Sequence, residues 1–324
     1  MAFPLVILAA LFFAYLTGVT DSANIVATVI SVRALSPRRA TALTVAMTLV
    51  APFVFGVAVA RAFGAGILVA ANATLPIVLA AALAASLWRW ATWQLGLPSS
   101  ASHALVGGLV GAGLAGAGLG AVNWPGLVKI LIALFVSPAL GLLAGYLLTN
   151  FIYWLAQSAT PKVNVLFRRA QILTAAALAL SWGANDAQKT IGLLALGLAA
   201  ASGAEFSVPL WTIIASMAAL ALGVATSGWR LIRTLGGRFY KIRPVNGLAA
   251  QISAAGVILS AALIGGPVST TQVVSTAIMG AGAAERVNKV RWGVALDILW
   301  AWVLTIPATA LAGAGLFFFL RSWM

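Results

Sequence analysis

Cysteine is absent from this 324-residue chain, so neither disulfides nor thiolate metal sites are available to it. One histidine, His103, and five acids leave too few ligands for a zinc site. Charge is scarce altogether: 7% of residues are charged, where soluble domains carry about 25%. There is no Gly-x-x-x-x-Gly-Lys-Ser/Thr loop, so the chain does not hydrolyse nucleotide, and Lys189-Thr190 is only a fragment of one. A nucleophile elbow and a His-Glu-x-x-His motif are missing too, so no enzyme and no cofactor is expected. The opening Met1-Ala-Phe-Pro-Leu-Val lacks the basic region of a cleaved signal peptide and reads as the start of a first span.

What is present is hydrophobic sequence, 62% of the chain, with a mean hydropathy of +1.06. The chain therefore reads as a polytopic membrane protein embedded in a lipid bilayer. Runs long enough to cross, about 17–25 residues each, cover 2–32, 41–63, 72–94, 97–120 and 126–156. They resume at 170–201, 207–229, 246–264, 265–284 and 292–320. That is five crossings per half. The net charge of +14 sits in short loops between spans, which is topology and not nucleic-acid binding. With both termini outside and every run crossing once, 15 of 19 basic residues face the cytoplasm, Arg89 among them. An odd count inverts the second half. The predicted fold is all-α, with two inverted-topology repeats of about five crossings at 1–156 and 170–324. A short cytoplasmic linker, 157–169, joins them.

Four polar interruptions stand out. Gly18-Val-Thr-Asp21-Ser-Ala-Asn24 and Gly183-Ala-Asn-Asp186-Ala-Gln-Lys-Thr190 each put an acid three residues after a glycine, with the acids 165 residues apart. A charge at mid-bilayer depth costs about 2.5–3.5 kcal/mol by insertion measurements, so such groups face a partner or a polar cavity. A carboxylate with amide and unwound backbone oxygens suits a small cation, with Thr20, Asn24 and Asn185 as neutral ligands. Protonation is the competing use of each acid, and a structural pair with Lys189 is a further reading for Asp186. No partner for Asp21 is apparent.

The other two interruptions are Leu97-Pro-Ser-Ser-Ala-Ser-His103 and Gly266-Pro-Val-Ser-Thr-Thr-Gln272. Each opens a Gly-rich tract, at an offset of 169. Proline suits a first helical turn and Ser or Thr an N-cap, so each segment reads as a helix starting inside the membrane. Its free N–H groups and the hydroxyls of Ser99, Ser100, Ser102, Ser269, Thr270 and Thr271 make an anion site. Paired interruptions in two inverted halves point to a transporter's midplane site, built from broken helices or re-entrant hairpins.

Lys189 can neutralise an acid, face an anion or reach an interface. His103 reads as a hydrogen-bonding or packing residue, Glu205 and Glu285 as solvated loop acids, and Asp297 as a structural pair with Arg291 or Trp300. Trp88, Trp90, Trp93, Trp300 and Trp302 read as interfacial belts or packing. Spacings such as Gly107-Gly108…Gly111 permit close helix packing and a homodimer.

These phrases, with Val26-Ala-Thr-Val29, Arg33-Ala-Leu-Ser-Pro37, Val290-Arg-Trp-Gly-Val294 and Trp300-Ala-Trp-Val-Leu-Thr-Ile-Pro307, resemble the inorganic phosphate transporter (PiT) family. The resemblance spans both halves. It implies a secondary transporter of the plasma (inner) membrane that imports inorganic phosphate with sodium ions or protons. Carried onto this chain, Asp21, Asn24, Asn185 and Asp186 hold cation and substrate, with Asp21, Asn24 and Asp186 the sodium ligands if sodium is used. Ser100, Ser102, Ser269, Thr270 and Thr271 surround phosphate, Gln188 of the second motif joins them as a substrate-binding residue, and Lys189 belongs to the same motif. Thr20, Ala101 and Gln272 depart from the family's usual Asn, hydroxyl and His. A sulfate symporter of the same architecture and a passive anion channel are the rival readings.

Overall fold

The computed structural model describes residues 2–227, 242–290 and 292–323, and the side chains of residues 289, 294, 297 and 298 are also outside that description. Eleven α-helices follow one another within it. They are α1 (Ala2–Ser31), α2 (Pro37–Phe55), α3 (Ala58–Gly66), α4 (Leu75–Gln94), α5 (Ala101–Ala117) and α6 (Trp124–Leu155). After the connection come α7 (Val163–Ser202), α8 (Leu210–Thr226), α9 (Pro244–Leu263), α10 (Thr270–Glu285) and α11 (Trp292–Leu320). Seven are long and apolar enough to cross a membrane, and α5 and α8 are shorter apolar helices. The protein is an all-α, multi-pass membrane protein. The basic segment 228–241 and Arg291 lie outside the described residues, and so does the side chain of Asp297 on which a pair was predicted.

The apolar pattern explains the layering. Exposed Leu5, Leu8, Phe12, Ile132, Phe135 and Leu311 turn outward on α1, α6 and α11, where lipid is their solvent. Four stretches are instead buried on every side: Leu16–Val29 of α1, Ser181–Gly197 of α7, nearly all of α5, and Thr270–Gly282 of α10. These are the four polar interruptions and their flanks. Two apolar clusters enclose them, one around the α4–α5 hairpin and one around α9–α10, with α1 and α7 contributing to both.

Among the described elements, the main helix pairings of one half recur in the other. Helix α5 lies along α11 and α10 along α6, α1 crosses α8 and α7 crosses α2, and α1 packs on α4 as α7 does on α9. Small residues set these crossings. A Cβ on Gly18 would fall 2.1 Å from the Leu220 carbonyl, and one on Gly223 2.1 Å from that of Tyr15. At the matching position of the second half, Gly183 closes on Thr48 and Ala51.

Four expectations need correcting. The acid phrases do not break their helices: α1 and α7 run continuously, the latter for 40 residues or about 60 Å. Neither phrase contains proline, and the hydroxyls of Thr17 and Thr20 bond back to carbonyls one turn earlier (2.9 and 2.8 Å) without parting the turns. A break falls instead inside the expected span 41–63, at Gly56, whose φ of 72° ends α2 before α3 begins. Arg89, assigned to a cytoplasmic loop, lies inside α4 and is buried. Pro98 and Pro267 stand two residues before the N-caps Ser100 and Ser269, outside the first turn.

Candidate functional site

The two hairpin turns, 95–100 and 264–269, bring Ser99, Ser100, Val268 and Ser269 inside the protein, and the first turns of α5 and α10 continue inward from them. Ser100 caps α5, accepting from the His103 amide at 3.3 Å and pairing with His103 Nδ1 at 2.8 Å. The His103 ring packs edge-on against Phe135. Ser102 of the first hairpin donates to the Val268 carbonyl of the second at 2.8 Å, so the turns of the two halves meet.

Each acid on the long helices carries a buried base. Asp186 Oδ1 accepts from Lys189 Nζ at 2.6 Å, the pair one turn apart on α7, and Lys189 also donates to the Val268 carbonyl at 3.2 Å. Asp21 Oδ1 accepts from Arg89 Nη2 at 2.7 Å, which supplies the partner that the sequence did not reveal. Arg89 Nη2 also contacts the Thr20 hydroxyl, while Nη1 donates to the Ser99 carbonyl at 2.5 Å. Ser99 shares a 2.7 Å hydrogen bond with Thr92. Helices α1 and α7, which carry the two acids, pack on each other. Two carboxylates, one guanidinium and one ammonium therefore form a buried polar cluster whose formal charges cancel. Asp21 is 3% exposed, Asp186 2%, and Arg89 and Lys189 1% each, so the cluster is shut off from solvent.

Several polar atoms in the cluster have no protein partner. Among the described residues these include the acceptors Asp21 Oδ2, Asp186 Oδ2 and Asn185 Oδ1, the hydroxyls of Ser22 and Ser269, and Arg89 Nε. Burying such groups unsatisfied costs about 1–3 kcal/mol each, so their concentration at one place marks a site whose bonds are completed by something else. The carboxylate and amide oxygens fit a cation, and the hydroxyl and N–H donors fit an oxyanion.

The remaining predicted residues sort as follows. Asn24 is buried one turn after Asp21, and Thr271 and Gln272 are buried in the first turn of α10. Asn185 donates to the Gly266 carbonyl at 3.3 Å, tying α7 to the second hairpin. Gln188 is committed to backbone: Nε2 donates to the carbonyls of Gly56 (2.8 Å) and Ala184 (2.6 Å), and Oε1 accepts from the Ala60 amide (3.0 Å). It thus clamps both ends of the α2–α3 break. Outside the cluster, Glu205 is exposed as expected, whereas Glu285 is not a solvated acid: it pairs with Arg243 at 2.9 Å and accepts from Asn246 at 3.2 Å. Trp88 packs, donating to Thr305 of α11 at 3.1 Å, and Trp302 is buried, while Trp90 and Trp300 are exposed.

The pattern of the phosphate transporter family matches residues 17–163 and 156–313, which takes in every element of this cluster. The chain belongs to the phosphate transporter family. A probable low-affinity inorganic phosphate transporter of Rhizobium meliloti (strain 1021) is 42% identical over 324 residues, covering 98% of this chain and 97% of its own. One of the same description from Bacillus subtilis (strain 168) is 39% identical over 323 residues, covering 98% and 96%. A solved structure described as the sodium-dependent phosphate transporter superposes with a TM-score of 0.89 over 100% of both chains, at 24% identity. That likeness places this family member in the same fold.

Proposed function

We propose that this family member imports inorganic phosphate across the plasma (inner) membrane as a secondary active transporter, coupled to sodium ions or protons by alternating access. The observation that carries the reading is the cluster itself: one acid helix and one hairpin turn from each half meet in a buried, charge-balanced centre with unpartnered donors and acceptors. A neutral centre accepts an oxyanion at a smaller electrostatic cost when cations enter with it, and that requirement is coupling in its simplest form. Phosphate lies between the hairpin turns, on the hydroxyls of Ser99, Ser100, Ser102, Ser269, Thr270 and Thr271 and on the positive ends of α5 and α10. Asp21, Asn24, Asn185 and Asp186 handle the cation, and loss of that cation on the cytoplasmic side releases the substrate.

The halves act as inverted repeats, 1–156 and 170–324, with the basic loops inside and both termini outside. Phosphate keeps a proton at neutral pH and donates it to a carboxylate, which sulfate cannot do, so acids in the site favour phosphate. The test is uptake of labelled phosphate into proteoliposomes with sodium and pH gradients imposed separately. Uphill accumulation driven by one of them, abolished by Asp21→Asn or Asp186→Asn with insertion intact, supports the reading. Equilibration without accumulation indicates a passive channel, and full competition by sulfate indicates a broader oxyanion carrier.

A further inference from the structure

The two buried bases come from unrelated places in the sequence and end in equivalent places in the fold. Arg89 lies on the first leg of its hairpin, and Ile258, at the 169 offset, holds the matching position of the second half. Lys189 lies on the acid helix itself, and Asn24, at the 165 offset, holds its matching position in the first half. Each base nevertheless joins the same two oxygens: the Oδ1 of its half's aspartate, and a backbone carbonyl at the hairpin turn. Those carbonyls, of Ser99 and Val268, are themselves 169 residues apart. Around Arg89 the set is completed by the Thr20 hydroxyl and, at 3.4 Å, the Ser99 hydroxyl. A carboxylate oxygen, a main-chain carbonyl and neutral hydroxyls are the ligands a small hard cation takes.

We infer that Arg89 and Lys189 are tethered substitutes for sodium, seated where coupling ions would bind at Asp21 and Asp186, so that neither binding of phosphate nor closure of the hairpins needs sodium. This rests on the transport reading above. A tethered cation supplies the charge that neutralises the aspartate and holds acid helix and hairpin turn together. It cannot cross the membrane with the substrate, so it contributes no gradient energy. The ion that crosses is then a proton, free or carried on the phosphate itself. Removing the tether while leaving its oxygens uncovers two sodium sites.

The experiment compares wild type with Arg89→Gln and Lys189→Gln, and with the charge-conserving Arg89→Lys and Lys189→Arg, all purified in detergent. Binding of radioactive sodium is measured without phosphate, and phosphate binding is measured in sodium against choline at equal ionic strength. Wild type and the conservative variants should bind no sodium through the two acids, and their phosphate affinity should be the same in both salts. Each Gln variant should gain sodium binding that Asp21→Asn or Asp186→Asn removes, and its phosphate affinity should rise at least about tenfold, 1.4 kcal/mol, on adding sodium. Sodium binding by wild type that either aspartate variant abolishes overturns the inference, and needs no base variant to fold. So do monodisperse Gln variants that gain none. Absence of phosphate binding in wild type under every condition would refute the transport reading instead, because the sodium measurement stands without it.

Discussion

At the scale of single residues, the stability of the centre rests on pairs in which neither member tolerates the loss of the other. Truncating one side of a buried ion pair costs about 3–5 kcal/mol because the other charge stays behind. Arg89→Gln should therefore lower the thermal midpoint sharply, whereas adding Asp21→Asn to it should recover most of the loss. A double-mutant cycle on melting temperature reads this directly, and additive losses would mean the two side chains are not coupled. Gln188 gives a contrasting case. Its amide is spent on the backbone of Gly56, Ala60 and Ala184, so Gln188→Met should cost about 1–3 kcal/mol of stability with the KM for phosphate little changed. A KM that rises without loss of stability would return Gln188 to the substrate. The different legibility of these residues has a physical origin. Asp21 and Asp186 announce themselves, because an acid in an apolar run is expensive wherever it points. Arg89 was hidden by its position five residues before the end of α4, where counting charges by loop assigns it to the surface. The available signal was an arginine within a span and an aspartate with no visible partner. Gln188 gave no signal, since its bonds reach 128 and 132 residues back along the chain.

At the scale of elements, the hairpins were legible because proline, Ser/Thr caps and glycine tracts are local devices. The continuity of α1 and α7 was not. Whether a helix unwinds at a charge depends on what neutralises that charge, and here the bases do so from within the bundle. The crossings of these helices make a further prediction. Gly18→Ala places a methyl 2.1 Å from the Leu220 carbonyl, where backbone must shift, and overpacking of this kind costs about 1–3 kcal/mol. By contrast, Gly256 on α9 and Gly315 on α11 have open space around the added atom. Alanine there should be neutral or stabilising by up to about 1 kcal/mol through helix propensity. Melting curves of the three variants side by side test the α1–α8 contact. Equal midpoints would refute it.

At the scale of the whole molecule, the packing of α5 on α11 and of α10 on α6 makes the halves a reciprocal exchange and not two bodies set side by side. The repetition was visible in the sequence at fixed offsets, but the exchange was not, because offsets say which segments correspond and nothing about which ones touch. Coexpressing fragments divided within 156–162, between α6 and α7, should restore phosphate uptake, while the first fragment alone should be degraded. Accumulation of a stable first fragment would contradict the exchanged packing. The same exchange constrains biosynthesis. A nascent chain that has just released α5 into the bilayer must hold its glycine face, and the arginine and aspartate beside it, for some two hundred residues until α11 emerges. The Asp21–Arg89 pair is complete as soon as α4 is made, so the ribosome delivers this half with its charges already quenched.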